Sequence, residues 1–268
     1  MPERVAPAVV PKRRRRARPP PLAPSCALFL DIDGTLLDIA ATPDRVRVDG
    51  RVTGLLPALA RRLDGALALI TGRSIADADR LFPDIRLPIA GQHGIERRDA
   101  GGAIHRLPAV PGIEPLRREL QQLAADHEGL LLEDKGETLA LHYRQAPRLA
   151  PHLHRTVKAK VALARDARAW RTQTGKGLIE VRPDGRDKGT AIVEYMTEPP
   201  FCGRTPVFVG DDRTDELGFA AVEAAGGWAV KVGPGPTHAS YRLRDVASVL
   251  QWLGGAANAP ASQRGPED

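Results

Sequence analysis

The sequence predicts an α/β fold in which a parallel sheet is split by an inserted α+β module. Ala27-Leu28-Phe29-Leu30 is a continuous apolar run closing on acids and a glycine, the pattern of a strand buried on both faces. Ala66–Ile70 repeats that pattern, and the apolar residues between the two runs recur at helical spacing. After Lys188 the same strand and helix alternation returns, so one core is built from two separated segments.

Val52, Leu55, Leu56, Leu59 and Leu63 mark the first helix, and Ser74 is a suitable N-cap for the helix after the second strand. From about Ile95 to Pro183 the pattern differs. Asp99-Ala100-Gly101-Gly102 signals a hairpin, Gly129–Leu132 and Thr138–Leu141 read as short strands, and helices are expected near 115–126 and 151–165. The core then resumes with a helix from Lys188 through Tyr195, a strand over Thr205–Val209 and a helix near 215–225. A strand from Trp228 to Val232 and a last helix near 244–253 complete it. The expected division is a core of 26–108 and 184–255, a module of 109–183, a disordered tail of 1–25, and a flexible C-terminal tail over 256–268, where small and polar residues predominate from Gly254 onward.

The 268 residues carry a formal charge of +6. Residues 1–25 hold Arg4, Lys12, Arg13, Arg14, Arg15, Arg16 and Arg18 against Glu3, so the Pro-rich tail accounts for the whole excess. It reads as a solvated extension or as an arm for nucleic acid or membrane, and no nucleic-acid binding is expected of the folded body. Every apolar stretch is interrupted by Asp, Arg or Pro, which excludes a bilayer span. Pro19-Pro20-Pro21 after the arginines disfavours a signal peptide, and Cys26 and Cys202 lack metal-type spacing. A cytoplasmic monomer with reduced thiols is the expectation.

Asp31-Ile32-Asp33-Gly34-Thr35 stands where the first strand ends. Residues two apart project to the same side, so both carboxylates can face one point while Gly34 lets the chain turn. Asp-Gly is also a common turn, but a turn does not require two aspartates and a threonine directly after four apolar residues. The second strand ends in Thr71-Gly72-Arg73, and the strand at 205–209 ends in Gly210-Asp211-Asp212-Arg213-Thr214-Asp215-Glu216. In parallel sheets, ligands bind beyond the carboxyl ends of strands. Taken alone, Thr71 reads as a cap or turn former, and Asp212 and Glu216 as a helix N-terminus. Lys188-Gly189 opens a helix with an ammonium and free N–H groups, suited to an anion; the alternative is an exposed lysine.

Together these groups describe phosphoryl transfer. A carboxylate can attack phosphorus without a base to activate it, provided anion repulsion is relieved. A divalent cation held by Asp31 and Asp211, with Thr71 and Lys188 on the phosphoryl oxygens, meets that need. Magnesium suits an all-oxygen ligand set, and Asp33 can then serve the leaving alcohol as acid and the attacking water as base.

The ordered set DIDGT, TGR, Lys188 and GDD resembles the haloacid dehalogenase (HAD) superfamily of phosphotransferases. More narrowly, the chain is similar to the trehalose-6-phosphate phosphatase family. That similarity runs through Gly91–Glu96, Glu133-Asp134-Lys135, Leu141–Arg144, Gly175–Val181 and Gly210–Glu216. The resemblance implies a HAD-like Rossmannoid core with a mobile α/β cap closing over magnesium. It makes Asp31 nucleophile and metal ligand, Asp33 acid/base and metal ligand through its carbonyl, and Asp211 the third protein ligand. Thr71 and Lys188 would hold phosphate, with Asp212 and Asp215 supporting the metal or Lys188. Arg73, His93, Gly94, Glu133, Lys135, Arg144, Lys176 and Glu180 are the implied substrate contacts. For single charged residues the competing reading is a surface salt bridge. His93 either approaches substrate or braces the cap hinge, and His142 and Tyr143 read as core or strand-face residues.

The resulting expectation is magnesium-dependent hydrolysis of trehalose 6-phosphate, with any trehalose-phosphate synthase a separate polypeptide. The alternatives are a phosphatase of another sugar phosphate such as sucrose 6-phosphate, a sugar phosphomutase, and a nucleic-acid-binding protein acting through its tail.

Overall fold

The computed structural model describes residues 18–40, 46–107, 110–164, 166–175 and 177–258. The first core segment runs β1 (Cys26–Leu30), α1 (Gly50–Arg62), β2 (Leu67–Ile70), α2 (Ile75–Leu81), β3 (Ile89–Gly91), β4 (Glu96–Arg98) and β5 (Ile104–Arg106). There follow α3 (Ile113–Ala125), β6 (Leu131–Asp134), β7 (Leu139–His142), α4 (Ala150–Leu163), β8 (Trp170–Gly175) and β9 (Leu178–Pro183). The chain returns through α5 (Lys188–Tyr195), β10 (Thr205–Gly210), α6 (Glu216–Ala224), β11 (Trp228–Val232), β12 (Tyr241–Leu243) and α7 (Val246–Ala257).

Eight strands form one sheet in the order β12-β11-β10-β1-β2-β3-β4-β5. Pairing is parallel from β12 to β3 and antiparallel through β4 and β5. The central strands are buried along their whole length, as their unbroken apolar runs require. Helix α1 packs with α7 and α5 with α6, and their apolar faces join the strands in one cluster. Phe29 lies 5.5 Å from Phe201 and 6.0 Å from Tyr195 at its centre.

The inserted segment builds a second, antiparallel sheet, β6-β7-β9-β8. Leu116, Leu120 and Leu123 of α3 and Leu153, Val157 and Val161 of α4 recur at helical spacing. They pack on Leu139, Leu141, Ile179 and Val181 to form a separate apolar cluster. The hairpin at 99–102 belongs to the large sheet, joining β4 to β5.

Three boundaries differ from the sequence reading. Residues 18–25, assigned there to a disordered tail, pack on the core: Leu22 is buried, and Trp252 Nε1 donates to the Pro20 carbonyl at 3.0 Å. The apolar anchor inside the proline run outweighs the low-complexity composition. Helix α7 extends to Ala257 because Ala256 still finds the core. Strand β6 starts two residues late because Gly129, at φ +84°, completes the turn out of α3. Residues 1–17 and 259–268 lie outside the described residues. Among those described, no helix is long and apolar enough to cross a membrane.

Candidate active site

Strands β10, β1 and β2 are neighbours, so the residues following them emerge side by side at the carboxyl edge. Asp31, Thr71 and Asp211 meet there with Lys188, the first residue of α5, and all line one cavity. Asp187 caps α5 by accepting from Thr190 N at 2.9 Å, and Thr190 Oγ1 accepts from Asp187 N in return. That reciprocal cap fixes where Lys188 enters the site.

Oxygens of Asp31, Asp211 and Asp215 lie within 4.8 Å of one another, and all three side chains are buried. Lys188 Nζ donates to Asp31 at 2.7 Å and to Asp215 at 2.6 Å. Burial opposes its charge, yet the two carboxylates hold its pKa well above the usual lysine range. Asp31 is pushed well above the usual carboxylate range by burial, which Asp215 and Asp211 reinforce and Lys188 only partly relieves. Three buried acids beside one ammonium are a set of hard oxygen donors of the kind a divalent cation takes.

Glycine is required where the chain passes closest to these acids. Gly34 has φ +85°, and a Cβ there would fall 2.2 Å from Asp211 Oδ2. Asp215 Oδ2 accepts from the N–H groups of Asp211 and Asp212, at 2.8 Å each, while its other oxygen holds Lys188. It thus organises the strand end and the lysine together. Lys231 was not anticipated; its buried ammonium donates to the carbonyls of Asp211 and Val232. A lysine in the middle of the otherwise apolar Trp228–Val232 was the available signal. Asp33 is held by both arms of Arg73, at 2.7 Å each.

The module supplies the opposite wall, and strand alternation explains how. Leu139, Leu141, Ile179 and Val181 face α3 and α4, so the intervening positions face the core. Register places Glu133 opposite Ala140, Ala140 opposite Glu180, and Glu180 opposite Gln173. Small Ala140 sits between the two acids of this row. The next row sets His142 beside Leu178, and Leu178 beside Gly175.

Glu180 lies 3.1 Å from Lys135 Nζ and 2.9 Å from His93 Nε2. Burial would raise its pKa, but Lys135 and His93 hold it far below the usual carboxylate range. Burial opposes the charge of Lys135, and Glu180 and Glu133 raise its pKa regardless. Glu133 takes a hydrogen bond from His142 at 2.8 Å; against the opposing effect of burial, this contact and Lys135 lower its pKa. Arg144 donates to the Ala40 carbonyl and lines the cavity.

Of the substrate contacts implied by the sequence, Arg73, His93, Glu133, Lys135, Arg144 and Glu180 line the cavity, as does Asp212. Gly94 does not. A Cβ on it would meet the Asp187 carbonyl at 3.1 Å and Ala191 Cβ at 3.2 Å, so this glycine permits close packing on α5. Lys176 lies outside the described residues. Gln173, Leu178, Thr214 and His142 line the cavity without having been singled out as site residues. The alternation Leu178, Glu180 against Ile179, Val181 was the signal for the module's inward face.

The trehalose-phosphatase family model matches residues 29–247. A probable trehalose-phosphate phosphatase of Sinorhizobium fredii is 44% identical over 222 residues, 83% of each chain. The trehalose-6-phosphate phosphatase of Escherichia coli is 44% identical over 238 residues, 87% of each. Among solved structures, the C-terminal domain of Candida albicans trehalose-6-phosphate phosphatase has a TM-score of 0.77. It covers 87% of this chain and 91% of its own at 22% identity, which speaks to the fold. A trehalose-6-phosphate phosphatase related protein gives 0.73 at 27% identity, over 86% of this chain and 96% of its own. Sequence likeness spanning both core segments and the inserted sheet, on this fold, places the chain in the trehalose-phosphatase family.

Proposed function

We propose that the protein hydrolyses trehalose 6-phosphate to trehalose and inorganic phosphate. One observation carries this reading. The polar row on the module's sheet faces a buried acid–lysine cluster across one cavity, so a single ligand can meet hydroxyl-binding and phosphate-binding groups at once.

In the first step an Asp31 carboxylate oxygen bonds to phosphorus as the bond from phosphorus to the sugar oxygen breaks. Asp33 gives the departing oxygen its proton. Lys188 and Thr71 hold the phosphoryl oxygens as charge develops on them. Water then attacks the aspartyl-phosphate, passes a proton to Asp33, and frees phosphate and Asp31. Asp31, the Asp33 carbonyl and Asp211 are the residues to hold Mg2+, and their hard oxygens suit it. When bound, the ion offsets repulsion between Asp31 and phosphate. Glu133, Lys135 and Glu180 address the sugar hydroxyls as acceptors and donors. Lys176 and Arg144 are assigned to the same end from the family resemblance.

The test is phosphate release from trehalose 6-phosphate, with and without Mg2+, beside sucrose 6-phosphate and glucose 6-phosphate. The expected result is a kcat/KM for trehalose 6-phosphate at least about 100-fold above the others, on the order of 2–3 kcal/mol of discrimination. Equal values would remove the trehalose assignment.

A further inference from the structure

His93 sits on the core yet reaches the module. It and Gln92 are consecutive non-glycine residues in the left-handed region, at φ 59° and 48°. Such a pair persists only when its surroundings hold it. Here Gln92 N donates to the Arg73 carbonyl at 2.8 Å and His93 N to the Thr71 carbonyl at 2.9 Å. This fastens the turn to the loop that carries Thr71 and Arg73. The conformation sends both side chains across to the module. Gln92 Nε2 reaches the Lys135 carbonyl at 3.0 Å, and His93 Nε2 lies 2.9 Å from Glu180 Oε2. Lys135 completes the circuit, its Nζ donating to the Gly72 carbonyl at 2.9 Å and to Glu180 at 3.1 Å. Gly72 admits the imidazole: a Cβ there would stand 2.9 Å from two of its ring atoms.

We propose that His93 is a positioning residue for the sugar end of the site, and that with Gln92 it forms the core half of a latch engaging Glu180 and Lys135 before substrate arrives. The role deepens the trehalose 6-phosphate reading and rests on it for the identity of the sugar. The imidazole is buried and its pKa is lowered by that burial, while Glu180 stays ionised. The neutral ring therefore donates from Nε2, and its buried Nδ1 has no hydrogen-bond partner among the described residues. Holding one oxygen of Glu180 from the core and the other from Lys135 fixes the plane of the carboxylate. The remaining lone pairs are free for hydroxyl donors. Because the turn hangs on Thr71 and Arg73, the sugar grip and the phosphate grip share one support.

Steady-state kinetics of His93→Ala, His93→Gln and Glu180→Gln, with the His93→Ala/Glu180→Gln double variant, test this in the full chain. Amide exchange of residues 178–183 without substrate is followed in parallel. Gln can place an amide donor near the Nε2 position. Expected are a KM for trehalose 6-phosphate raised at least about tenfold in His93→Ala with kcat changed less than about threefold, recovery to within about threefold in His93→Gln, and non-additive KM effects in the double variant. Exchange at 178–183 should quicken at least about fivefold in His93→Ala and return in His93→Gln. A His93→Ala loss confined to kcat, additive KM effects, or unchanged exchange would overturn the latch. Should His93→Ala fail to fold, Glu180→Gln alone reads exchange from the module's side, and unchanged exchange there has the same meaning. Absence of phosphate release in the wild type would instead sink the substrate reading, which the exchange comparison does not depend on.

Discussion

Glu180 shows how one side chain can be a functional group and a stability element together. Lys135 and His93 hold its pKa down despite burial, so the folded state binds its proton less readily than the unfolded chain does. The stability this lends is complete above the unfolded value, about pH 4.5. It is lost as the pH falls toward the much lower folded value. Glu180→Gln leaves the Lys135 ammonium buried with a weaker partner and should cost about 3 kcal/mol at pH 7. The gap from wild type should shrink at pH 4 and again at pH 3, read as urea midpoints. A gap constant over that range would mean the ion pair contributes nothing. Asp31 presents the opposite case, a carboxylate whose surroundings oppose its charge. Asp31→Asn should reduce phosphate release on the order of 10^4-fold or more while thermal unfolding stays cooperative. Full activity in that variant would refute the nucleophile assignment.

At the scale of elements, helix α5 matters more for where it starts than for its length. Its capping box places Lys188 one residue inside the helix. Asp187→Ala should cost about 1 kcal/mol and lower kcat more than KM, with Asp187→Asn restoring most of both. Differential scanning calorimetry beside steady-state kinetics checks this, and unchanged kcat would mean Lys188 is placed by its carboxylate partners alone. The elements that could be read in the sequence are those whose pattern is local. Strands β1 and β2 are unbroken apolar runs, β10 is apolar over Pro206–Val209, β11 is apolar apart from Lys231, and Ser74 caps α2 where a cap residue was expected. Strand β8 could not be read this way, because Trp170–Gly175 is polar and only its pairing with β9 makes it a strand. Three-residue β3 and β12 are likewise defined by the sheet they join.

At the scale of the whole molecule, the described residues form two apolar clusters, and the cavity lies between the elements they support. This explains why its two ends differed in legibility. Asp31, Thr71 and Asp211 each follow directly on a buried strand, so residue type and position together announce the phosphate end. Glu133, Glu180 and Gln173 come into line only through the register of four antiparallel strands. No short-range pattern carries that register, so the family resemblance supplied Glu133 and Glu180, while Gln173 and the inward aim of His142 emerged from the fold. Residues 18–25 belong to this same larger scale. Leu22 joins the core cluster, the Pro20 carbonyl takes the indole N–H of Trp252, and Arg204 reaches the Pro24 carbonyl at 2.7 Å. A chain beginning at residue 26 should therefore be less stable than one beginning at 18. Cys26 N also donates to the Ala23 carbonyl and Thr205 N to the Ser25 carbonyl, so the lost Leu22 burial and four hydrogen bonds amount to about 3–6 kcal/mol, hence a melting temperature lower by about 6–15 °C. Because none of these contacts touches the cavity, kcat measured well below either melting point should agree between the two chains. Equal melting temperatures would show that the segment rests on the core without stabilising it.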